Sequence, residues 1–253
     1  MTMLCRTSRQ RPKGARGCRA YVIGDVHGRL DLLERLLAEI ERDLAEQPSR
    51  KTLLVFLGDL IDRGPHSAQV IERLRTYGVP GLRTVFLLGN HEEVLLRILA
   101  GDAALITQWR WFGGAECLES YGVEPSAIAQ LDDQAALEAV RAAIPKEHAE
   151  FIGSFVDTCG FGDYLFVHAG IRPGVMVEEQ VQSDLRWIRE PFLLDDTDHG
   201  CVVVHGHTIS EEIDERQNRI GIDTGAYRTG VLTALVIEGE QRRYLQTSEA
   251  SVA

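Results

Sequence analysis

Gly58-Asp59-Leu60-Ile61-Asp62-Arg63-Gly64 (GDLIDRG) follows the apolar run Leu53 to Leu57 and precedes a segment, Ser67 to Tyr77, whose apolar residues recur at helical spacing. An apolar run, a glycine-punctuated loop and then a helix make a strand-loop-helix unit. Ser67 is expected to cap the helix. The same unit stands on either side. Upstream, Ala20 to Ile23 runs into Gly24-Asp25-Val26-His27-Gly28, and Leu30, Leu33, Leu36, Leu37, Ile40 and Leu44 then repeat at helical spacing. Downstream, Thr84 to Leu88 runs into Gly89-Asn90-His91-Glu92, with a helix start over Glu92 to Leu99. Such alternation predicts mostly parallel strands, with the active loops at their C-terminal ends.

Residues 101–150 differ. They are helical in character, with Trp109, Trp111 and Phe112 beside Gly113-Gly114, and read as a cap or insertion over the site. An aromatic cluster of this kind is first a core-packing feature and only second a platform for a nucleobase. Further β-like runs follow at Phe151 to Thr158, Tyr164 to Val167, Val202 to His205, Ile220 to Asp223 and Val231 to Ile237. The expected fold class is α/β (α+β): two mixed sheets packed as a β-sandwich flanked by helices, with a helical cap insertion. In domain terms the expectation is a basic, disordered extension over 1–19, one domain over 20–240 and a C-terminal tail over 241–253.

Composition narrows the functional classes. The formal net charge is −11, yet the first 20 residues carry six basic side chains (Arg6, Arg9, Arg11, Lys13, Arg16, Arg19) and no acid. The remaining 233 residues therefore hold 21 basic against 38 acidic side chains. An acidic body is a poor general nucleic-acid binder, because phosphate backbones need a cationic surface. No apolar stretch approaches the roughly 20 residues that a spanning helix needs, and no apolar segment follows the basic arm as a signal peptide would require. Neither a nucleic-acid nor a membrane partner is expected. Cys5, Cys18, Cys117, Cys159 and Cys201 are odd in number and form no C-x-x-C, which fits a reduced, cytoplasmic protein better than a disulfide framework. There is no phosphate-binding P-loop and no nucleophile elbow.

The chemistry-bearing residues concentrate where predicted strands end. Besides the three loops above, His168-Ala169-Gly170 and His205-Gly206-His207-Thr208 follow apolar β-like runs. Each has a bland reading when taken singly. Asp-x-His in a loop is usually a capping acid beside an exposed imidazole, Asp-Arg-Gly a surface turn, and a lone His after a strand a satisfied core residue. Five such sites on one kind of loop are not expected by that reading, which would spread acids and imidazoles over helices as well. Carboxylate, amide oxygen and imidazole together suit hard-to-borderline divalent cations. His66, His148 and His199 lie outside the series and are taken as surface residues, and Asp195-Asp196 and Glu211-Glu212 as solvated faces.

The series GDVHG, GDLIDRG, GNHE, HAG and GHT resembles the phosphoprotein phosphatase family of calcineurin-like metallophosphoesterases over Tyr21 to Gly239. It is similar in particular to the compact phage and bacterial serine/threonine protein phosphatases. The resemblance implies the calcineurin-like fold and two divalent metal ions, Mn²⁺ first, with Fe, Zn or Co as alternatives. It further implies that Asp25 and His27 bind one metal, that Asp59 bridges both, and that Asn90, His168 and His207 complete the second. His91 would be the general acid held by Asp62. Arg63 would grip phosphate, joined by Arg189, which follows Trp187 by two residues as the family pattern asks. Attack by a metal-bridging hydroxide needs no phosphoenzyme.

Two positions qualify the match. His205 stays open between a ligand and a strand-end residue, since the family pattern selects His207. Many wider metallophosphoesterases have another His two residues further on, where this chain has Ile209; that departure favours the phosphoprotein phosphatase branch. The expected substrate is accordingly a phosphomonoester, phosphoserine or phosphothreonine in proteins with phosphotyrosine as an extension. The alternative is symmetrical hydrolysis of a dinucleoside tetraphosphate (Ap4A), and the alternative of another class is a non-catalytic metal module that binds phosphorylated proteins. Partners are thus a phosphorylated protein or a small phosphorylated molecule. Oligomeric state is not legible in the sequence.

Overall fold

The computed structural model describes residues 11–47 and 51–247. Its first half is the predicted repeat: β1 (Cys18–Ile23), α1 (Leu30–Glu46), β2 (Lys51–Phe56), α2 (Ser67–Arg75), β3 (Leu82–Phe86) and α3 (Asn90–Ala100). The insertion follows as α4 (Leu105–Trp109), a π-helical turn (Arg110–Gly114), α5 (Ala115–Ser120), α6 (Pro125–Ile128), α7 (Asp133–Ala143) and α8 (Lys146–Ile152). The second half is β4 (Thr158–Phe161), β5 (Tyr164–Val167), α9 (Gln182–Trp187), β6 (Val202–His205), β7 (Asp214–Glu215), β8 (Arg219–Gly221), α10 (Ala226–Thr229), β9 (Thr233–Glu238) and β10 (Gln241–Gln246).

Two five-stranded mixed sheets result, in the orders β10-β9-β1-β2-β3 and β4-β5-β6-β8-β7. β1, β2 and β3 run parallel, as do β5, β6 and β8, and the flanking strands are antiparallel. Each central strand is apolar on both faces because both faces are covered. In β1, Tyr21 and Ile23 face the helices while Ala20 and Val22 enter the core between the sheets. In β5, Tyr164 and Phe166 join that inter-sheet core and Leu165 and Val167 a third cluster on the far side. Of the residues counted at helical spacing in α1, Leu33, Leu36, Leu37 and Ile40 are buried, while Leu30 and Leu44 are only partly buried and the uncounted Leu32 is buried with them. No helix among the described residues is long and apolar enough to cross a membrane.

Several sequence expectations need correction. Residues 241–246 are not tail but the edge strand β10, joined to β9 across Gly239, whose φ of 56° makes the tight hairpin. The rest of the expected tail, 248–253, lies outside the described residues, as does 1–10 of the basic extension. Residues 11–19 are built into the fold, because their polar groups have partners. Lys13 N donates to Asp163 at 2.8 Å, Gly14 N to Gly239 O at 2.8 Å, and the buried Arg19 guanidinium to Glu238 at 2.7 Å. The apolar run Phe151 to Thr158 is largely not a strand. Phe151 and Phe155, four residues apart, close around Phe86 with ring centroids 4.9 and 5.2 Å away, a helical-turn contact. His66, not Ser67, precedes the first turn of α2. Ser67 is instead buried, its hydroxyl accepting from Asp62 N at 2.9 Å. His148 is also buried, between Tyr121 and Glu72.

Leu36→Ala in α1 removes a fully buried side chain, and by cavity formation should cost about 2–5 kcal/mol in urea unfolding with an unchanged m-value. A loss under about 1 kcal/mol would show that α1 does not pack as described.

Candidate active site

The loops that leave β1, β2, β3, β5, β6 and β8 converge at one end of the sandwich, where parallel strands place their C-terminal ends. The turns are sharp. His27, Asp59, Asp62, Arg63 and His207 have φ of 45°, 49°, 71°, 66° and 62°, and these are all the non-glycine residues at positive φ among the described residues. Left-handed backbone of this kind is costly for ordinary side chains and collects at functional sites. Two glycines admit the close approaches. A Cβ at Gly89 would overlap the Asp59 carboxylate, and one at Gly206 the Asp25 carboxylate.

Asp59 is the centre. Its Oδ2 lies 3.7 Å from His27 Nε2 and 3.9 Å from His91 Nε2, and its Oδ1 lies 3.4 Å from His168 Nε2. Two groups able to hold a metal ion share it: His27, Asp59 and His91, and Asp59, His168 and His207. Backbone carbonyls aim the imidazoles. His27 Nδ1 is 2.8 Å from Ile61 O and His168 Nδ1 2.8 Å from Leu57 O, which turns each Nε2 toward the acids. Asn90 Oδ1 sits between His168 Nε2 at 2.9 Å and His207 Nδ1 at 2.8 Å. Asp25 accepts from His207 N at 3.0 Å through Oδ2. Its Oδ1, with His27 Nε2, His207 Nε2 and Asp223 Oδ2, is buried without a hydrogen-bond partner. Buried carboxylate and imidazole atoms without partners, beside two groupings that share Asp59, are of the type that suits divalent cations.

The six residues expected as metal ligands are therefore brought together. His91 joins the first grouping, where Asp25 was expected beside His27; its Nε2 faces Asp59 while its Nδ1 donates to Asp62 Oδ2 at 2.7 Å. His205 belongs to neither group. It contacts Phe192 edge-on at 5.1 Å, with Nδ1 3.1 Å from Gly206 O, and burial lowers its pKa to about 4.

The charge balance is uneven. Burial and the neighbouring Asp223 and Asp59 hold Asp25 well above the usual carboxylate range. Burial also pushes Asp223 up to about 6. Asp59 goes the other way: burial opposes its charge, but His168 and His91 outweigh it and hold the carboxyl well below its ordinary value. His91 is raised because Asp59 and Asp62 overcome the cost of burial.

Arg63 and Arg189 line a cleft of about 420 Å³ above this cluster, together with Asn90, His91 and His207. Arg63 lies 4.8 Å over the Tyr227 ring, and its amide donates to Gly113 O at 3.0 Å. Phe112 and Trp187, 57% and 41% exposed, stand in the cleft wall beside Arg97. The three aromatics expected to pack as a core cluster are thus split. Trp109 is buried, Phe112 fronts the cleft and Trp111 is 85% exposed.

The family model for calcineurin-like phosphoesterases matches residues 18–229. The chain belongs to that family. The family uses divalent metals, so the chain is a metal-binding hydrolase of phosphoesters. It is 29% identical over 237 residues to an asymmetrical bis(5'-nucleosyl)-tetraphosphatase, PrpE, of Anoxybacillus flavithermus, covering 85% of this chain and 88% of that one. A symmetrical bis(5'-nucleosyl)-tetraphosphatase of Acidovorax ebreus is 36% identical over 159 residues, 63% of this chain and 46% of that one, so the match spans under half of that relative. A solved structure described as "a putative diadenosine tetraphosphatase" superposes with a TM-score of 0.66 at 19% identity, covering 94% of this chain and all of that one. A protein serine/threonine phosphatase of Saccharomyces cerevisiae superposes with a TM-score of 0.52 at 11% identity, over 96% and 86% of the two chains. Both likenesses are of fold.

Within this calcineurin-like phosphoesterase, sequence reasoning missed the roles of Glu92 and Asp223. Glu92 is fully buried and accepts from the amides of Asp59, Leu60, Ile61 and Gly89 at 2.8, 2.7, 3.3 and 3.1 Å. It ties the β2 and β3 loops together. Burial and Asp59 push it up to about 7 against the pull of His168, His91 and the Leu60 amide. The motif GNHE contains it, but only the fold shows what it holds.

Asp59→Asn should lose bound divalent metal and phosphoesterase activity together while the circular dichroism spectrum is kept; full metal content with full turnover would contradict a shared carboxylate. Glu92→Ala should lower unfolding free energy by about 3 kcal/mol or more, since four buried amides lose their acceptor. A change within about 0.5 kcal/mol would mean the loops hold without it.

Proposed function

We propose that this phosphoesterase hydrolyses the phosphoanhydride chain of dinucleoside tetraphosphates. The observation that carries the reading is the cleft. Arg63, Arg189 and Arg97 line the same 420 Å³ space as two exposed aromatic side chains, Phe112 and Trp187. A polyphosphate asks for several cations, and a nucleobase asks for a flat apolar partner at a short distance from them. The names of the relatives point the same way. Phosphoprotein hydrolysis is the second reading, supported by the fold it shares with the yeast protein phosphatase.

Asp25, His27, Asp59, Asn90, His168 and His207 would hold two divalent cations, Mn²⁺ among the ions that this donor set suits. When bound, these supply a water acidified toward a pKa of roughly 7 and charge that favours attack at phosphorus. The chain's own groups do the rest. Arg63, clamped at its amide by Gly113 and at its guanidinium face by Tyr227, is held toward the cleft to bind non-bridging oxygens, and Arg189 meets them from the opposite segment. His91 presents Nε2 to the site and holds its Nδ1 proton on Asp62, so it is placed to protonate the leaving oxygen.

Diadenosine tetraphosphate and a phosphoserine peptide, assayed side by side with Mn²⁺, should differ in kcat/KM by at least about 100-fold in favour of the dinucleotide. Chromatography of the nucleotides then separates symmetrical from asymmetrical cleavage. Trp187→Ala should raise KM for the dinucleotide about 10-fold, the size of one base-stacking contact, and leave p-nitrophenyl phosphate unaffected. Preference for the phosphopeptide would replace this reading with the second.

A further inference from the structure

The helical insertion reaches the reaction residues from the side opposite the sheets. Trp109, the last residue of α4, is buried at 2% exposure and donates its indole N–H to Asp62 Oδ2 at 2.9 Å. That is the same oxygen that receives His91 Nδ1 at 2.7 Å. Asp62 is fully buried, at φ 71°, with its amide tied to Ser67 Oγ. The indole cannot drift, because its ring lies against Gly114, where any Cβ would overlap it. One residue earlier, Gly113 at φ 110° accepts the Arg63 amide, and a Cβ there would meet Arg63 N at 2.5 Å. The π-helical turn Arg110–Gly114, which follows directly on Trp109, therefore closes on Arg63 through Gly113, while Trp111 and Phe112 stand exposed.

A buried indole needs some acceptor, and a backbone carbonyl would satisfy it. Here the acceptor is the carboxylate that orients the proton donor. A carboxylate held by a single donor can rotate about its terminal torsion, which is broad and weakly restrained. Two N–H groups converging on one oxygen fix that oxygen's position and with it the direction of the His91 ring.

We propose that Trp109 is a positioning residue for proton donation. Its indole N–H sets the Asp62 carboxylate that holds His91, and the insertion is in this way part of the reaction machinery as well as a cover. The inference rests on the reading of His91 as proton donor and is independent of which phosphorylated substrate is used.

Trp109→Phe removes the donor and keeps an aromatic ring against Gly114. Replacing the indole by benzothienylalanine, in which sulfur stands for N–H, keeps the bicyclic shape and covers the case in which Phe destabilises the fold. Both are assayed as Mn²⁺-loaded full-length protein on phenyl phosphate, a poor leaving group, and p-nitrophenyl phosphate, a good one. The expected result is a kcat loss of about 10-fold on phenyl phosphate, the scale of one hydrogen bond to a charged group. KM, metal content and turnover of p-nitrophenyl phosphate should stay near those of the parent. In the Asp62→Ala background, Trp109→Phe should add no further loss. Equal losses on both substrates, or losses that multiply with those of Asp62→Ala, overturn the inference. His91→Asn is the control: if its own losses ignore the leaving group, the proton-donor reading falls and this inference falls with it.

Discussion

A carboxylate buried at 2% exposure, that of Asp59, is the constraint to which the rest of the site answers. An uncompensated charge in such a place would cost several kcal/mol. Compensation comes from His168, His91 and His27 at 3.4–3.9 Å and from the amide of His91 at 3.1 Å. The same region also holds Asp25, Glu92 and Asp223, all buried. Imidazoles cannot serve all four acids at once. The pKa pattern records the conflict: Asp59 stays low while Asp25, Asp223 and Glu92 are driven up. Dipositive ions resolve it, because they favour ionised carboxylates and neutral imidazoles together. Burial has already turned His27 and His207 toward the neutral form, His207 to about 3.

The backbone carries a second cost. Five left-handed non-glycine residues at roughly 1–2 kcal/mol each represent strain that loops alone could not hold. The strands beneath supply the hold. β1, β2, β5 and β6 are apolar on both faces and clamp the loop bases between the inter-sheet core and the outer layers. Glu92 then ties the β2 and β3 loops together through four amides, so the geometry at Asp59 depends on a residue that need not touch substrate.

Legibility in the sequence followed how locally each feature is determined. Buried parallel strands read as continuous apolar runs, and Tyr164 to Val167 and Val202 to His205 coincide with β5 and β6 residue for residue. Loop residues of unusual type, such as Asp59 and His168, stand out because acids and imidazoles seldom follow such runs. Features fixed by distant partners were not legible. β10 was hidden because Arg242, Arg243 and Tyr244 look solvated, whereas Glu215 and Asp43 pair with them across the fold. Arg19 looked like part of a charged arm until Glu238, over 200 residues away, supplied its partner. Phe151 and Phe155 imitated a strand, since a short apolar run has no period long enough to show a helical turn. Asp223 carries no motif signal of its own, and only the fold brings it beside Asp25.

The motif series, for the same reason, is nearly silent on substrate. Ligands and phosphate-binding arginines answer to the phosphoryl group, which esters and anhydrides share. Whatever discriminates must lie at the rim, in the insertion and in the segment around Trp187, where sequence reading had only an aromatic cluster to offer. Exposed aromatics at the mouth of a cationic cleft are informative because an exposed apolar ring gains nothing from water and is usually buried or partnered. In this chain the rim and the chemistry are also joined mechanically. One π-helical turn exposes Phe112 outward, holds the Arg63 amide through Gly113 and adjoins Trp109 on Asp62. Phe112 at the cleft, the Gly113 carbonyl that holds the Arg63 amide and Trp109 on Asp62 thus fall within five consecutive residues of the chain, so the rim and the buried carboxylate are shaped by one local turn.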